Sequence, residues 1–421
     1  MTDHSEKSSE FEASPIGGRF DEFANGWRPL LGAFMGITTG VYVIFMHTYG
    51  VLMPMMSEEF GGTRTQWSLP VTVMSIVATI SAPIIGKMVD RFGPVAVSFT
   101  ALLFAAATFQ LASIFIDGYA SVIAFAVAIA IFGSGTHNST YLYALGGYFK
   151  RSRGLAIGFV LSGTGVCGAV APILTTSVTQ SGGWRAGYTL IATVLVIAAV
   201  VIAGLLWKTG RREKREAHGQ GPADSFSWGL TLAEARRTPT FWKAAVVIFL
   251  FSFATTGQVP HFVSMVLDRG IDAQRAAGMA SIIGISIVVG RLGSGFLLDR
   301  VFVKNVGIGF LLISAVGLGI IAFGDSWSLP FGVFCLGLGL GAEVDLAAYI
   351  VARYFGNRHY GSIFGWLFAA YATGSMLSAV TAGKLYDLTG SYIAGLSLAM
   401  VLLVAATPIF LTFARYPRDA S

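Results

Sequence analysis

From Trp27 onward the chain reads as twelve apolar segments of spanning length. They run over about 28–56, 66–88, 94–116, 119–147, 154–180, 184–207, 241–267, 273–298, 304–323, 327–352, 360–385 and 391–414, here called spans 1 to 12. Lipid offers backbone amides no hydrogen-bond partner, so runs of this kind must cross as helices. The expected fold class is an all-α integral membrane protein of twelve transmembrane helices. Composition agrees. Charged residues make up 12% of the chain against 54% hydrophobic ones, whereas soluble domains carry about 25% charged residues. The net charge of +6 is therefore read by position and is no nucleic-acid signal. The two cysteines, Cys167 and Cys335, lie in apolar runs and read as packing residues. No Walker A loop, metal-ligand spacing or nucleophile–base set appears, so neither an enzyme nor a cofactor is expected.

Lysines and arginines set the orientation. With the N-terminus in the cytoplasm, that side carries 22 of the 28 basic residues. The opposite side carries five, Arg64, Arg185, Arg269, Arg275 and Lys384. The remaining one is Arg291. Both termini are thus expected inside a cell membrane, a bacterial inner membrane by this reading. Trp27, Trp67, Trp184, Trp207, Trp242 and Trp327 stand at segment ends, as an aromatic belt requires. Residues 1–26 are polar and lack the basic-then-apolar pattern of a signal peptide, so a disordered cytoplasmic tail is expected. The other expected units are an N-terminal six-helix bundle at 27–207, a basic cytoplasmic linker at 208–240, a C-terminal bundle at 241–414 and a tail at 415–421. In the linker, Thr231-Leu-Ala-Glu234 has capping-box spacing and predicts a short surface helix before Pro239.

The two bundles repeat each other. Gly86-Lys-Met-Val-Asp90-Arg91 follows span 2, and Gly295-Phe-Leu-Leu-Asp299-Arg300 follows span 8. Gly135 through Phe149 aligns with Gly341 through Phe355. A doubled six-span unit predicts pseudo-symmetric bundles that rock about a substrate held between them near the membrane midplane.

Arg291 is the most informative single residue. It lies eight residues before Asp299, about 12 Å along a helix, and so inside the hydrocarbon. A guanidinium there costs roughly 2.5–3.5 kcal/mol on the insertion scale, which calls for a use or a partner. Its planar fork matches a carboxylate in two hydrogen bonds. Substrate binding is one reading; a structural ion pair with Glu343 or Asp345, the carboxylates of comparable depth, is the other. Buried carboxylates also carry protons, so Glu343 and Asp345 are the proton-coupling candidates, with His47 in span 1 beside them. The substrate-facing set is completed by Tyr42, His137, Gln258, His261 and Tyr371. The alternative for each of these is packing or hydrogen bonding within a bundle. Asp90, Arg91, Asp299 and Arg300 read as a cytoplasmic gate, where charges meet helix ends.

The motifs carry a resemblance. Gly86-x-x-x-Asp-Arg-Phe-Gly93 and its second copy resemble the loop motif of the major facilitator superfamily. Tyr148-Phe-Lys-Arg-Ser-Arg-Gly-Leu-Ala-Ile-Gly158 is similar to the signature of the monocarboxylate transporter family. It departs at Ser152, Val160 and Ser162. Gly182-Gly-Trp-Arg185 and Gly383-Lys-Leu-Tyr-Asp-Leu-Thr-Gly-Ser-Tyr392 resemble that family and its oxalate/formate antiporter relatives. The resemblance implies that Arg291, on span 8, binds a substrate carboxylate. It also exposes two departures. Ile287 stands where monocarboxylate carriers place a proton-coupling aspartate. Leu367 stands where the oxalate exchanger places a second cation. One cation rather than two implies a monoanion.

The function expected is secondary active transport of a small organic monocarboxylate, with proton symport. The partners are then that anion, a proton and the lipid bilayer. An exporter of a hydrophobic drug or siderophore on the same scaffold is the alternative. A carrier-fold sensor is another, against which stand the short loops and tails.

Overall fold

The computed structural model describes residues 19–145, 148–149, 152–216, 229–298, 300–356 and 359–414. Among them, ten apolar helical stretches are long enough to cross a membrane. One of the ten, Leu155–Trp207, contains two spans. Gly183 takes a positive φ of 66° within it, and a side chain on Gly187 would meet Thr179 and Thr175. Residues twelve apart come within reach only because the chain doubles back at this glycine. Arg64–Phe92 supplies the twelfth span, and the architecture is the all-helical twelve-span one.

Each half has its own hydrophobic core. One is built from spans 1 to 6 and includes Ile37, Trp67, Phe109 and Tyr141. The other is built from spans 7 to 12 and includes Phe251, Leu311, Val333 and Leu403. Two residues cross over: Val51 of span 1 packs in the second core and Ala379 of span 11 in the first. Large apolar side chains such as Phe104, Ile114, Val200, Phe323 and Val401 face outward, as helices solvated by lipid require.

Among the described residues four spans are interrupted, span 5 only at Ser162, between Arg153–Leu161 and the helix that begins at Gly163. Span 1 consists of Arg19–Thr38 and Val41–Phe60. Span 4 consists of Tyr119–Gly133, a 3-10 turn at Ser134–Thr136 and Asn138–Tyr143. Span 7 consists of Pro239–Ala254, a 3-10 turn at Thr256–Gln258 and Val259–Leu267. A break frees backbone groups inside the membrane, which something must satisfy. The breaks in spans 1 and 4 face each other, and the Val41 amide donates to Thr136 Oγ1 at 3.0 Å. Span 10, Leu329–Tyr354, is the repeat counterpart of span 4 but runs unbroken.

In the linker, Leu232–Arg237 forms a short helix. The Thr231 hydroxyl accepts the Glu234 amide, and Glu234 accepts the Thr231 amide in return.

Among the described residues, polar contacts between the halves gather at the face opposite the linker. There Asp387, on the helical end just past span 11, accepts the amides of Arg64 and Thr65 at the start of the span 2 helix, at 2.9 and 3.0 Å. Arg64 pairs with Asp268 at 3.5 Å. Gln180 reaches Gln274 at 3.4 Å.

A cavity between the halves

Between the halves lies a cavity with about 1170 Å³ of empty space, the open solvent at its mouth included. Both halves supply its wall. Tyr42, His47 and His137 come from the first, Arg291, Glu343 and Tyr371 from the second. Ile287 also lines it, one turn before Arg291.

Spans 8 and 10 set the geometry of Arg291. A side chain on Gly290 would meet the Leu338 carbonyl, and one on Gly341 would meet the Ile287 carbonyl, each at 2.3 Å. Glycine at both places lets the two backbones touch. At that distance Arg291 Nη1 reaches Asp345 Oδ1, at 3.3 Å. The Ser294 hydroxyl, one turn further along, lies 3.1 Å from the other Asp345 oxygen and 3.0 Å from the Arg291 carbonyl. The guanidinium is 7% exposed, and its buried Nε has no protein acceptor. One nitrogen of the fork is thus occupied, and the residue also lines the cavity.

Glu343 is placed differently. It accepts the Thr255 hydroxyl at 2.7 Å and the Thr256 hydroxyl, both at the break of span 7. Thr256 in turn lies 3.2 Å from the Tyr371 hydroxyl. Glu343 occupies the repeat position of His137, which caps the 3-10 turn of span 4. In the second half the carboxylate tends the break of a neighbouring helix instead. The direct Glu343–Arg291 pair raised by the sequence is absent among the described residues; Asp345 takes that place.

His261 and Gln258 do not line the cavity. His261 Nε2 lies 2.9 Å from the Ala379 carbonyl and 3.1 Å from Ser68 Oγ, with Nδ1 3.4 Å from the Tyr392 hydroxyl. Gln258 donates to Ser378 at 3.0 Å. Both turn toward span 11, Gln258 from the 3-10 turn itself and His261 from the helix that follows it. Leu367 is fully buried in the second core, and its neighbour Phe368 lines the cavity instead. His47 faces the cavity and has no hydrogen-bond partner among the described residues.

Of the four gate residues, Asp299 lies outside the described residues, as does the side chain of Asp90. Arg91 sits 5.2 Å from the Phe92 ring and Arg300 sits 3.6 Å from the Phe296 ring, each against its own helix. Thr255, Thr256, Ser294, Ser75 and Phe368 escape a sequence reading. A hydroxyl or ring within an apolar run carries no local sign of its partner.

A family model described as Major Facilitator Superfamily matches residues 34–378. Monocarboxylate transporter 13 of Bos taurus is 26% identical over 93% of this chain and 90% of its own length. An agnestins efflux protein of Paecilomyces divaricatus is 25% identical over 97% of this chain and 94% of its own. Among solved structures, a bacterial homologue of the human lysosomal transporter Spinster, inward-facing and unoccupied, superposes with a TM-score of 0.67. It shares 16% identity and covers 94% of this chain and 97% of its own.

Proposed function

The chain belongs to the Major Facilitator Superfamily, and from that premise we propose that it carries a small organic monocarboxylate by alternating access, together with a proton. The observation that supports this most is the single guanidinium of Arg291, deep in span 8 and at the cavity wall. A second basic side chain of Lys or Arg type is absent from the described lining. A dianion would keep one charge unpaired in a low-dielectric site, which is costly.

Coupling follows from competition for the cation. An arriving carboxylate engages Arg291 and displaces Asp345. The displaced carboxylate takes the accompanying proton, because an unpaired charge in this interior costs more than a protonated one. Glu343, already held by two threonine hydroxyls, is less suited to this exchange and tends the hinge of span 7. A monoanion and a proton move without net charge, so the membrane potential does no work on the cycle. Hydrogen bonds between the halves collect at the face opposite the linker. The basic loops and both termini then lie in the cytoplasm, and this arrangement is the one open inward. The names of the relatives cover carboxylate carriers and an efflux protein, so export of an apolar compound is the competing reading.

The test is uptake into proteoliposomes. Arg291→Lys keeps the charge and loses the fork. Losing one charge-assisted hydrogen bond, about 1.5–3 kcal/mol, lowers kcat/KM for a carboxylate roughly ten- to hundredfold, with membrane insertion unchanged. Wild-type kcat/KM in Arg291→Lys overturns the proposal.

A further inference from the structure

We infer that the carboxylate carried has an apolar body of about aryl size, and that Phe368 selects it. This rests on the carboxylate reading above and names the substrate class within it.

The cavity is larger than a lactate-sized acid needs. Its wall is drawn from eight spans, 1, 2, 4, 5, 7, 8, 10 and 11, more than such an acid reaches from Arg291. A short hydroxy acid at Arg291 leaves most of the wall in contact with water. That wall is apolar: Val43, Met46, Leu161, Val259, Leu340 and Phe368 all line it. Burying an apolar body there is favourable, and burying a hydroxyl without a partner is not.

Most hydroxyls of the wall are already engaged by the protein. Tyr42 lies 3.4 Å from Ser75 Oγ and Tyr371 lies 3.2 Å from Thr256 Oγ1. Thr79 donates to the Ser75 carbonyl at 2.8 Å, and Thr164 to the Leu161 carbonyl at 2.9 Å. His47 and Asn138 remain, which leaves few partners for polar substituents on the body.

Phe368 is the aromatic platform of the cavity. Its ring stacks on Tyr371 at 5.3 Å and 24°, and it meets His137 of the other half edge-on at 6.0 Å and 81°. Held from two sides, it is pre-organised for stacking or edge contact with a substrate ring. It also bridges the halves, so a body docked on it touches both bundles at once.

The experiment uses the full chain in proteoliposomes with two probes, phenylacetate and lactate, in wild type, Phe368→Ala, Phe368→Leu and Arg291→Lys. Wild type is expected to favour phenylacetate over lactate at least about tenfold in kcat/KM, the scale of one or more apolar groups in a fitted pocket. Phe368→Ala is expected to shrink that ratio about fivefold or more, and Phe368→Leu, which keeps bulk without the ring, to shrink it less. Should Phe368→Ala fail to insert, the wild-type ratio and Phe368→Leu still decide. Lactate carried as well as phenylacetate, with both lost in Arg291→Lys, overturns the apolar-body proposal and leaves the carboxylate reading standing. Neither acid carried overturns both. A phenylacetate preference untouched in both Phe368 variants overturns the role of Phe368.

Discussion

Arg291 has one nitrogen bound by Asp345 and also lines the cavity. That pairing makes the two carboxylates of span 10 separable by experiment. Asp345→Asn removes the competing charge and leaves the guanidinium to the substrate. The expected outcome is a KM for the carboxylate lowered about tenfold, since a hydrogen bond to a charged group is worth about 1.5–3 kcal/mol. Substrate-driven proton movement into liposomes at zero potential is expected to vanish in the same variant. Glu343→Gln keeps a hydrogen-bond acceptor for Thr255 and Thr256, so proton movement should persist while turnover slows. The reverse pattern, with protons lost only in Glu343→Gln, moves the coupling site to Glu343. That carboxylates of span 10 matter is legible in the sequence, because charge at membrane depth is rare. Which of them touches the arginine is not. Residues 343 and 345 point about 200° apart around a helix axis, and only the glycine contact of spans 8 and 10 decides which faces span 8.

At the scale of elements, span 2 has two caps of different origin. Thr63 and Gln66 form a capping box within the helix itself, visible as local spacing. Asp387, some three hundred residues away, accepts the next two amides from the other half. A carboxylate at a helix N-terminus is stabilising, and here it also latches the halves at the face opposite the linker. Asp387→Ala should cost about 0.5–2 kcal/mol of that closure, a shift of about two- to thirtyfold between closed and open populations. Distances between spin labels at the far ends of spans 2 and 11 report it. An unchanged distance distribution dismisses the latch. Burial alone would raise the Asp387 carboxyl, but the hydrogen bonds from Thr65 and Arg64 hold it below the usual range. The latch is therefore complete above the ordinary aspartate value of about 3.9. It weakens as the pH on that face falls below this value and through the depressed one, because the open state binds the proton first. Acidification of that face should open it in wild type and have less effect in Asp387→Ala.

For the whole molecule, spans 5 and 8 cross between the halves at contact distance. A side chain on Gly284 would lie 2.0 Å from the Ala169 amide nitrogen and 2.3 Å from the Gly168 carbonyl carbon. Both are backbone atoms, which cannot turn aside as a side chain can. Gly284→Val should leave each six-span core intact and disfavour the present arrangement by about 1–3 kcal/mol, the usual cost of overpacking. The expected result is a population shifted toward opening at the face opposite the linker, read by labelling of a cysteine placed on the cavity wall from that side. Labelling equal to that of the unmodified crossing shows that the helices separate elsewhere.

By itself the sequence determined the number of spans, the doubling of the six-span unit and the depth of Arg291. These depend on hydrophobic length, internal repetition and a charge where charge is expensive, all of them local properties of a chain in lipid. Tertiary structure alone decided where side chains point. His261 and Gln258 turn into contacts with spans 2 and 11. Leu367 faces the core while Phe368 faces the cavity. The reason is geometric. Each residue turns a helix by about 100°, a break in the helix adds its own rotation, and the close glycine crossings fix how each helix is turned toward its neighbour. No stretch of sequence holds that information, because it belongs to pairs of helices.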